Sequence, residues 1–243
     1  MGDVPVDLVI RPGRRVEVGQ VAADAPADIG EGGHGGHRSQ LPGERERPDG
    51  TAGGSTLNPC VYPVAMHPWH DIPVNPADIE THLPVVVEIP AGSKNKYELD
   101  KPTGILKLDR VLYSSVHYPA NYGFIPRSYC DDGDPLDVLV LGQEPVHPLT
   151  LIFVRPIGVM HMRDQGKADD KILAVHANDP AVNHIQALEE APPHTMLEIR
   201  RFFLDYKVLE EKEVVVDPFQ GRDAALQVIR QALVDYEALR AKG

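Results

Sequence analysis

Residues 129–141 read YCDDGDPLDVLVL, with Asp131, Asp132, Asp134 and Asp137 crowded together just ahead of an apolar run. Two carboxylates about 4 Å apart repel by roughly 4 kcal/mol at an effective dielectric near 20, so several facing one pocket need protons or cations to offset them. At neutral pH multivalent cations meet that need. Gly133 lets the backbone turn freely and Pro135 fixes its own φ, so the carboxylates of DxDxxD can converge instead of alternating along a strand. Val138–Leu141 reads as a buried strand that anchors the loop. An EF-hand calcium loop also begins D-x-D, but it requires oxygen ligands at positions 1, 3 and 5 and glycine at 6. Counted from Asp132, the fifth residue is Leu136 and the sixth is Asp137, so that template fails.

The chain has 243 residues and 42% hydrophobic content, enough to bury a core, and the length suits one domain with a tail or two small domains. A net charge of −12 argues against nucleic-acid and anionic-membrane partners, both of which it would repel at long range. A small anionic substrate would be repelled as well, so bound cations and locally placed Lys and Arg must reverse the field. Cys60 and Cys130 are far apart and in no CxxC or Cys/His spacing, so neither a disulfide framework nor a structural zinc site is expected. No apolar run is long enough to span a bilayer, and no basic region followed by an apolar one opens the chain. A cytoplasmic location is expected.

Residues 1–65 hold more than half of the 21 glycines, many prolines, and neither Lys, Phe nor Trp. They read as a disordered Gly/Pro-rich extension. His34 and His37 within it read as linker rather than ligands. Foldable sequence starts at HPWHDI, which makes Met66 a candidate start and 66–243 the functional domain.

VVVEIP (85–90), KYELD (96–100) and ILKLD (105–109), joined by the turns AGSKN and KPTG, read as an antiparallel meander. Glu88, flanked by Val87 and Ile89, reads as buried; Lys96 and Glu98 fall on one strand face. Arg110, Tyr118 and Tyr122 lie in a segment broken by Pro119 and Gly123 and can line an anion pocket. TLIFVRPIGVMHM (150–162) reads as a strand pair bent at Pro156 and Gly158, and KILAVHA (171–177) as a further strand. Between them RDQGKADDK supplies a second carboxylate cluster, Asp164, Asp169 and Asp170, beside Lys171. Thr195 and Glu198 form a capping-box pattern, followed by an apolar stripe Met196, Ile199, Phe203 and Tyr206 that ends beside Lys207. Leu226, Ile229, Leu233 and Tyr236 repeat the spacing in a closing helix after Asp223.

The chemistry-bearing residues are thus carboxylates in three groups, four separated cations and two or three tyrosines. Carboxylates without His or Cys suit hard cations with oxygen ligands, Mg²⁺ first, with Mn²⁺ or Zn²⁺ as substitutes. Cations with tyrosine hydroxyls suit phosphate. Metal-assisted phosphoryl transfer to water is the chemistry that joins them.

In this respect the chain resembles the soluble family I inorganic pyrophosphatases. DGDPLDV (132–138) is similar to that family's signature, and KYELD, the DR of 109–110, YPANYGF, Asp164 with Asp169 and Lys171, and FFLDYK follow in the family's order. HPWHDI and SSVHYPANYGFIP resemble the plant-type branch and DGD the bacterial one. The resemblance implies a mainly β, α+β fold: a five-stranded OB-like β-barrel with two C-terminal helices. It also implies Mg-dependent hydrolysis of pyrophosphate to two phosphates by in-line attack of a metal-bound hydroxide, without a phosphoenzyme. By resemblance Asp132, Asp137 and Asp169 hold the tightest Mg²⁺, with Asp137 shared with a second. Asp164 and Asp169 take a third, and Glu88, near Glu98, faces a fourth. Asp134 is the catalytic base; Lys96, Arg110, Tyr122, Lys171, Tyr206 and Lys207 bind substrate. A homo-oligomer is expected, hexameric if bacterial-like. The rival readings are an OB-like module that binds a nucleotide or oligonucleotide without turnover, disfavoured because acids stand where its basic groove would be, and a calcium-binding structural protein.

Overall fold

The computed structural model describes residues 66–242; the expectations for residues 1–65 lie outside the described residues. In chain order the elements are β1 Leu83–Ile89, β2 Asn95–Leu99, β3 Leu106–Val111, β4 Asn121–Phe124, β5 Asp137–Leu141, β6 Leu151–Met160, β7 Met162–Asp164, β8 Lys167–Ala168 and β9 Lys171–His176. Helix α1 Pro193–Asp205, β10 Val214–Val216, β11 Gln220–Gly221 and helix α2 Arg222–Arg240 complete the fold. Five strands run β1-β4-β5-β9-β6, and a further β1–β6 pairing closes them into a barrel, with β11 attached outside along β6.

The apolar runs explain that closure. Along β5, Val138 and Val140 enter one core while Leu139 and Leu141 enter another; along β9, Ile172 and Ala174 divide from Leu173 and Val175 in the same way. Strands buried on both faces read as continuous β-branched stretches rather than as alternation. The core of Val138 and Val140 includes Ala225, Leu226, Ile229 and Ala232 of α2, and that of Leu139 and Leu141 includes Ile199, Phe202 and Phe203 of α1. Each fully buried Leu, Ile or Val stabilises by about 1.5–3 kcal/mol. Gly123 is required where β4 crosses β1: a Cβ there would lie 2.0 Å from the Val86 carbonyl oxygen.

Three expectations need correction. The meander does not form. β2 and β3 make a separate two-stranded hairpin, because β1 gives its edges to β4 and β6. Residues 151–160 are one strand, not two; a bulge between Pro156 and Gly158 accommodates the proline's missing N–H, and the strand pairs with β1 before it and with β9 on either side of it. Helix α1 begins at Pro193 without a side-chain cap, so Thr195 lies inside the first turn and no capping box forms. Two successive prolines set that start: the first is extended, and the second suits the first helical position because its missing N–H would be unpaired there anyway.

Candidate active site

One cleft of about 870 Å³ opens where the strand ends, the β2–β3 hairpin and the end of α1 meet. Every candidate site residue read from the sequence lines it: Glu88, Lys96, Glu98, Arg110, Tyr122, Asp132, Asp134, Asp137, Asp164, Asp169, Lys171, Tyr206 and Lys207. Asp131 is exposed and outside its wall, and Asp170 pairs instead with His161 at 2.9 Å.

Local backbone features aim these side chains. Glu88 occupies the register break between Val87 and Ile89, a bulge that turns its carboxylate toward the hairpin, where it accepts the Leu99 N–H at 2.7 Å. Asp132 accepts the Asp134 N–H at 3.0 Å, and Gly133 supplies the positive φ that this tight turn requires. Parallel pairing sets Asp137 opposite Lys171. The Lys171 ammonium bridges Asp137 and Asp169, at 2.5 Å from the former, and the Tyr122 hydroxyl donates to Asp137. Gln165 and Gly166, both at positive φ, form the β7–β8 turn beside Asp164, and Lys207, two residues past the end of α1, pairs with Asp164.

On the hairpin Lys96 pairs with Glu98 and lies 3.4 Å from Asp109. Arg110 lies 2.5 Å from Asp109 and donates to Glu210 at 2.9 Å. Sequence reasoning missed Asp109 and Glu210 as partners, and it missed Lys101, which pairs with Asp134 and donates to the Gly133 carbonyl at 2.8 Å. Lys101 read only as part of the KPTG turn, although its position at the end of a strand bearing Lys96 and Glu98 was a signal. Nothing in the local sequence marks Glu210.

Burial and charge oppose each other here. Burial, helped by Asp137, pushes the Glu88 carboxyl up to about 8. Burial also raises Asp137, with Lys171 pulling the other way. Desolvation works against the Lys171 ammonium, yet Asp137 and Asp169 outweigh it and raise its pKa above the ordinary lysine value. Burial opposes ionisation of Asp109, but Lys96 and Arg110 prevail and hold it low. The hydroxyls of Tyr122 and Tyr206 are raised by burial and stay protonated donors.

Among the described residues no three Asp, Glu, His or Cys side chains are drawn together as one ion site; lysines stand between them. The donor set nevertheless fits a hard cation. Every candidate ligand is a carboxylate oxygen, and Asp164 Oδ1 is buried without a partner among the described residues. Arg110 Nη2 is likewise buried and unpartnered, a donor waiting for an anion. The cleft lining thus includes an acceptor without a cation and a donor without an anion.

The model of the inorganic pyrophosphatase family matches residues 85–237. The chain is 55% identical over 174 residues to soluble inorganic pyrophosphatase 2 of Chlamydomonas reinhardtii, which spans 71% of this chain and 90% of that protein. To soluble inorganic pyrophosphatase of Oryza sativa subsp. indica it is 55% identical over 175 residues, 72% of this chain and 81% of the other. The crystal structure of inorganic pyrophosphatase from Thermus thermophilus superposes with a TM-score of 0.65 at 40% identity, covering 68% of this chain and 97% of that one. The one from Helicobacter pylori gives 0.65 at 37%, covering 68% and 98%. With the family model covering residues 85–237 and the closed five-stranded barrel and two helices in agreement, the chain belongs to the inorganic pyrophosphatase family.

Proposed function

We propose that this chain hydrolyses inorganic pyrophosphate to two orthophosphates by in-line attack of water, with magnesium as cofactor. The observation that carries the reading is a pair of buried, unpartnered groups among the residues lining one cleft, Asp164 Oδ1 and Arg110 Nη2. They call for a cation and an anion together, as a metal diphosphate supplies.

Asp132, Asp137 and Asp169 would hold the tightest magnesium, Asp137 would be shared with a second, Asp164 and Asp169 would take a third, and Glu88 with Glu98 would face a fourth. Manganese or zinc would substitute. When bound, these ions lower the pKa of the attacking water and neutralise phosphoryl charge. Asp134 accepts that water's proton: its carboxylate is half exposed at the tip of the acidic turn, and with Lys101 on Oδ1 its Oδ2 can take the proton. Lys96, Arg110, Lys171 and Lys207 exchange their carboxylate partners for phosphoryl oxygens, and Tyr122 and Tyr206 donate their hydroxyls. Such preorganised charge is usually the largest contribution to the rate. Direct attack by water on phosphorus requires no phosphoenzyme.

The domain is taken as 66–243, working in the cytoplasm as a homo-oligomer. The net charge of −12 disfavours nucleic-acid and membrane partners. Among the described residues no helix is long and apolar enough to cross a membrane. Phosphate release from pyrophosphate, ATP and a phosphomonoester, with and without Mg²⁺, tests the reaction. Release from pyrophosphate that requires Mg²⁺ is expected; binding without turnover, or faster release from ATP, would end the proposal.

A further inference from the structure

The segment HPWHDI, ahead of the barrel, touches the cleft from behind. The Trp69 N–H donates to His67 Nδ1 at 3.3 Å, so Nε2 carries the imidazole proton and donates to the Lys101 carbonyl at 2.8 Å. Asp71 Oδ2 accepts the His67 N–H at 2.7 Å, and the His67 ring stacks on His70 with centroids 4.4 Å apart. The far side of the strap is fixed as well: the Trp69 indole donates to the Ser128 carbonyl at 2.8 Å, and His70 Nδ1 lies 2.8 Å from the Tyr236 hydroxyl of α2.

The carbonyl that His67 holds belongs to the turn at 100–104, closed by Thr103 and Gly104 N–H bonds to the Asp100 oxygen at 3.1 and 2.8 Å. Gly104 takes φ +71°, and a Cβ there would lie 2.9 Å from His67 Cδ2, so the imidazole fills space that only glycine leaves open. From this turn the Lys101 ammonium reaches the Gly133 carbonyl and Asp134. Both side chains of that ion pair are substantially exposed, at 43% and 52%. Such a pair contributes little by itself, so its geometry depends on what fixes the backbone beneath it.

We infer that His67 is a positioning residue of the cleft: by holding the Lys101 carbonyl it fixes the turn that aims the Lys101 ammonium at Asp134. The catalytic part of this inference rests on Asp134 being the base; the geometric part does not. Glutamine places its amide nitrogen about where imidazole Nε2 lies, whereas the amide of asparagine reaches only as far as Nδ1.

The test uses the full chain. In His67→Ala, kcat for pyrophosphate is expected to fall on the order of tenfold with KM little changed, the scale of a modest misplacement of a reacting group. His67→Gln should recover most of that loss and His67→Asn little of it. The double variant His67→Ala with Lys101→Met should be no slower than Lys101→Met alone. In metal-free protein, amide exchange at residues 103–104 should quicken in His67→Ala and return toward wild type in His67→Gln. Wild-type kcat in His67→Ala, multiplicative losses in the double variant, or a glutamine variant no better than alanine would overturn the inference. If the wild-type protein fails to release phosphate, the functional reading falls, and the exchange measurement alone decides whether His67 braces the turn.

Discussion

Lys171 stands directly opposite Asp137 in the parallel pairing of β5 with β9, and its ammonium lies 2.5 Å from Asp137 Oδ2. Sheet register therefore places a buried cation among carboxylates that would otherwise repel one another. Lys171→Met is expected to lower the stability of the metal-free protein by about 3–5 kcal/mol, because two carboxylates lose a buried partner. Added Mg²⁺ should restore a larger share of that loss than it adds to wild type. Thermal melts of both proteins with chelator and with Mg²⁺ measure this; equal Mg²⁺ effects would contradict it.

Glu88 gives a pH dependence of defined sign. Its folded-state pKa of about 8 exceeds the ordinary value of 4.5, so the folded protein binds that proton more tightly than the unfolded chain. Its contribution is then most favourable at low pH and is lost as pH rises from about 4.5 to about 8. Glu88→Gln keeps an oxygen for the Leu99 N–H and removes the titration. In chelator its Tm advantage over wild type should grow between those pH values and level off above them. A gap independent of pH would show that burial does not act on this carboxyl.

Asp134→Asn should lower kcat by about two orders of magnitude, the scale of a lost general base. Its half-exposed side chain makes a change in Tm of more than a few degrees unexpected. Steady-state rates and melts on the same preparation check both, and a near wild-type rate would remove Asp134 from its role.

Gly123→Ala should destabilise by about 1–3 kcal/mol or more, since the new methyl meets backbone that cannot move without parting β1 from β4. Denaturant unfolding measures the loss. A shift of only a few tenths would mean that the two strands can separate there at little cost.

The sequence carried the local features well. DGDPLD announced a convergent acidic turn, and the apolar runs of 138–141 and 172–175 announced buried strands. It misled where a residue answers to distant partners. KYELD looks like the middle strand of a meander, yet the edge of β1 it would need is occupied by β4 on one side and β6 on the other, and it pairs with ILKLD alone. Thr195 and Glu198 have capping-box spacing, yet two prolines had already started the helix. Glu210 carried no local signal, because its partner Arg110 lies a hundred positions earlier in the chain.

By itself the sequence determined which chemistry was available: oxygen ligands for hard cations, cations and hydroxyls for phosphate, and the order of motifs that marks the family. Those properties reside in side-chain identity and short spacing, which survive without a fold. Tertiary structure alone decided which groups face each other: Lys171 between Asp137 and Asp169, Arg110 against Glu210, and His67 beneath Lys101. The reason is physical. Barrel closure and strand register bring together residues far apart in the chain, and register is set by the burial of many apolar side chains rather than by the few polar groups it aligns.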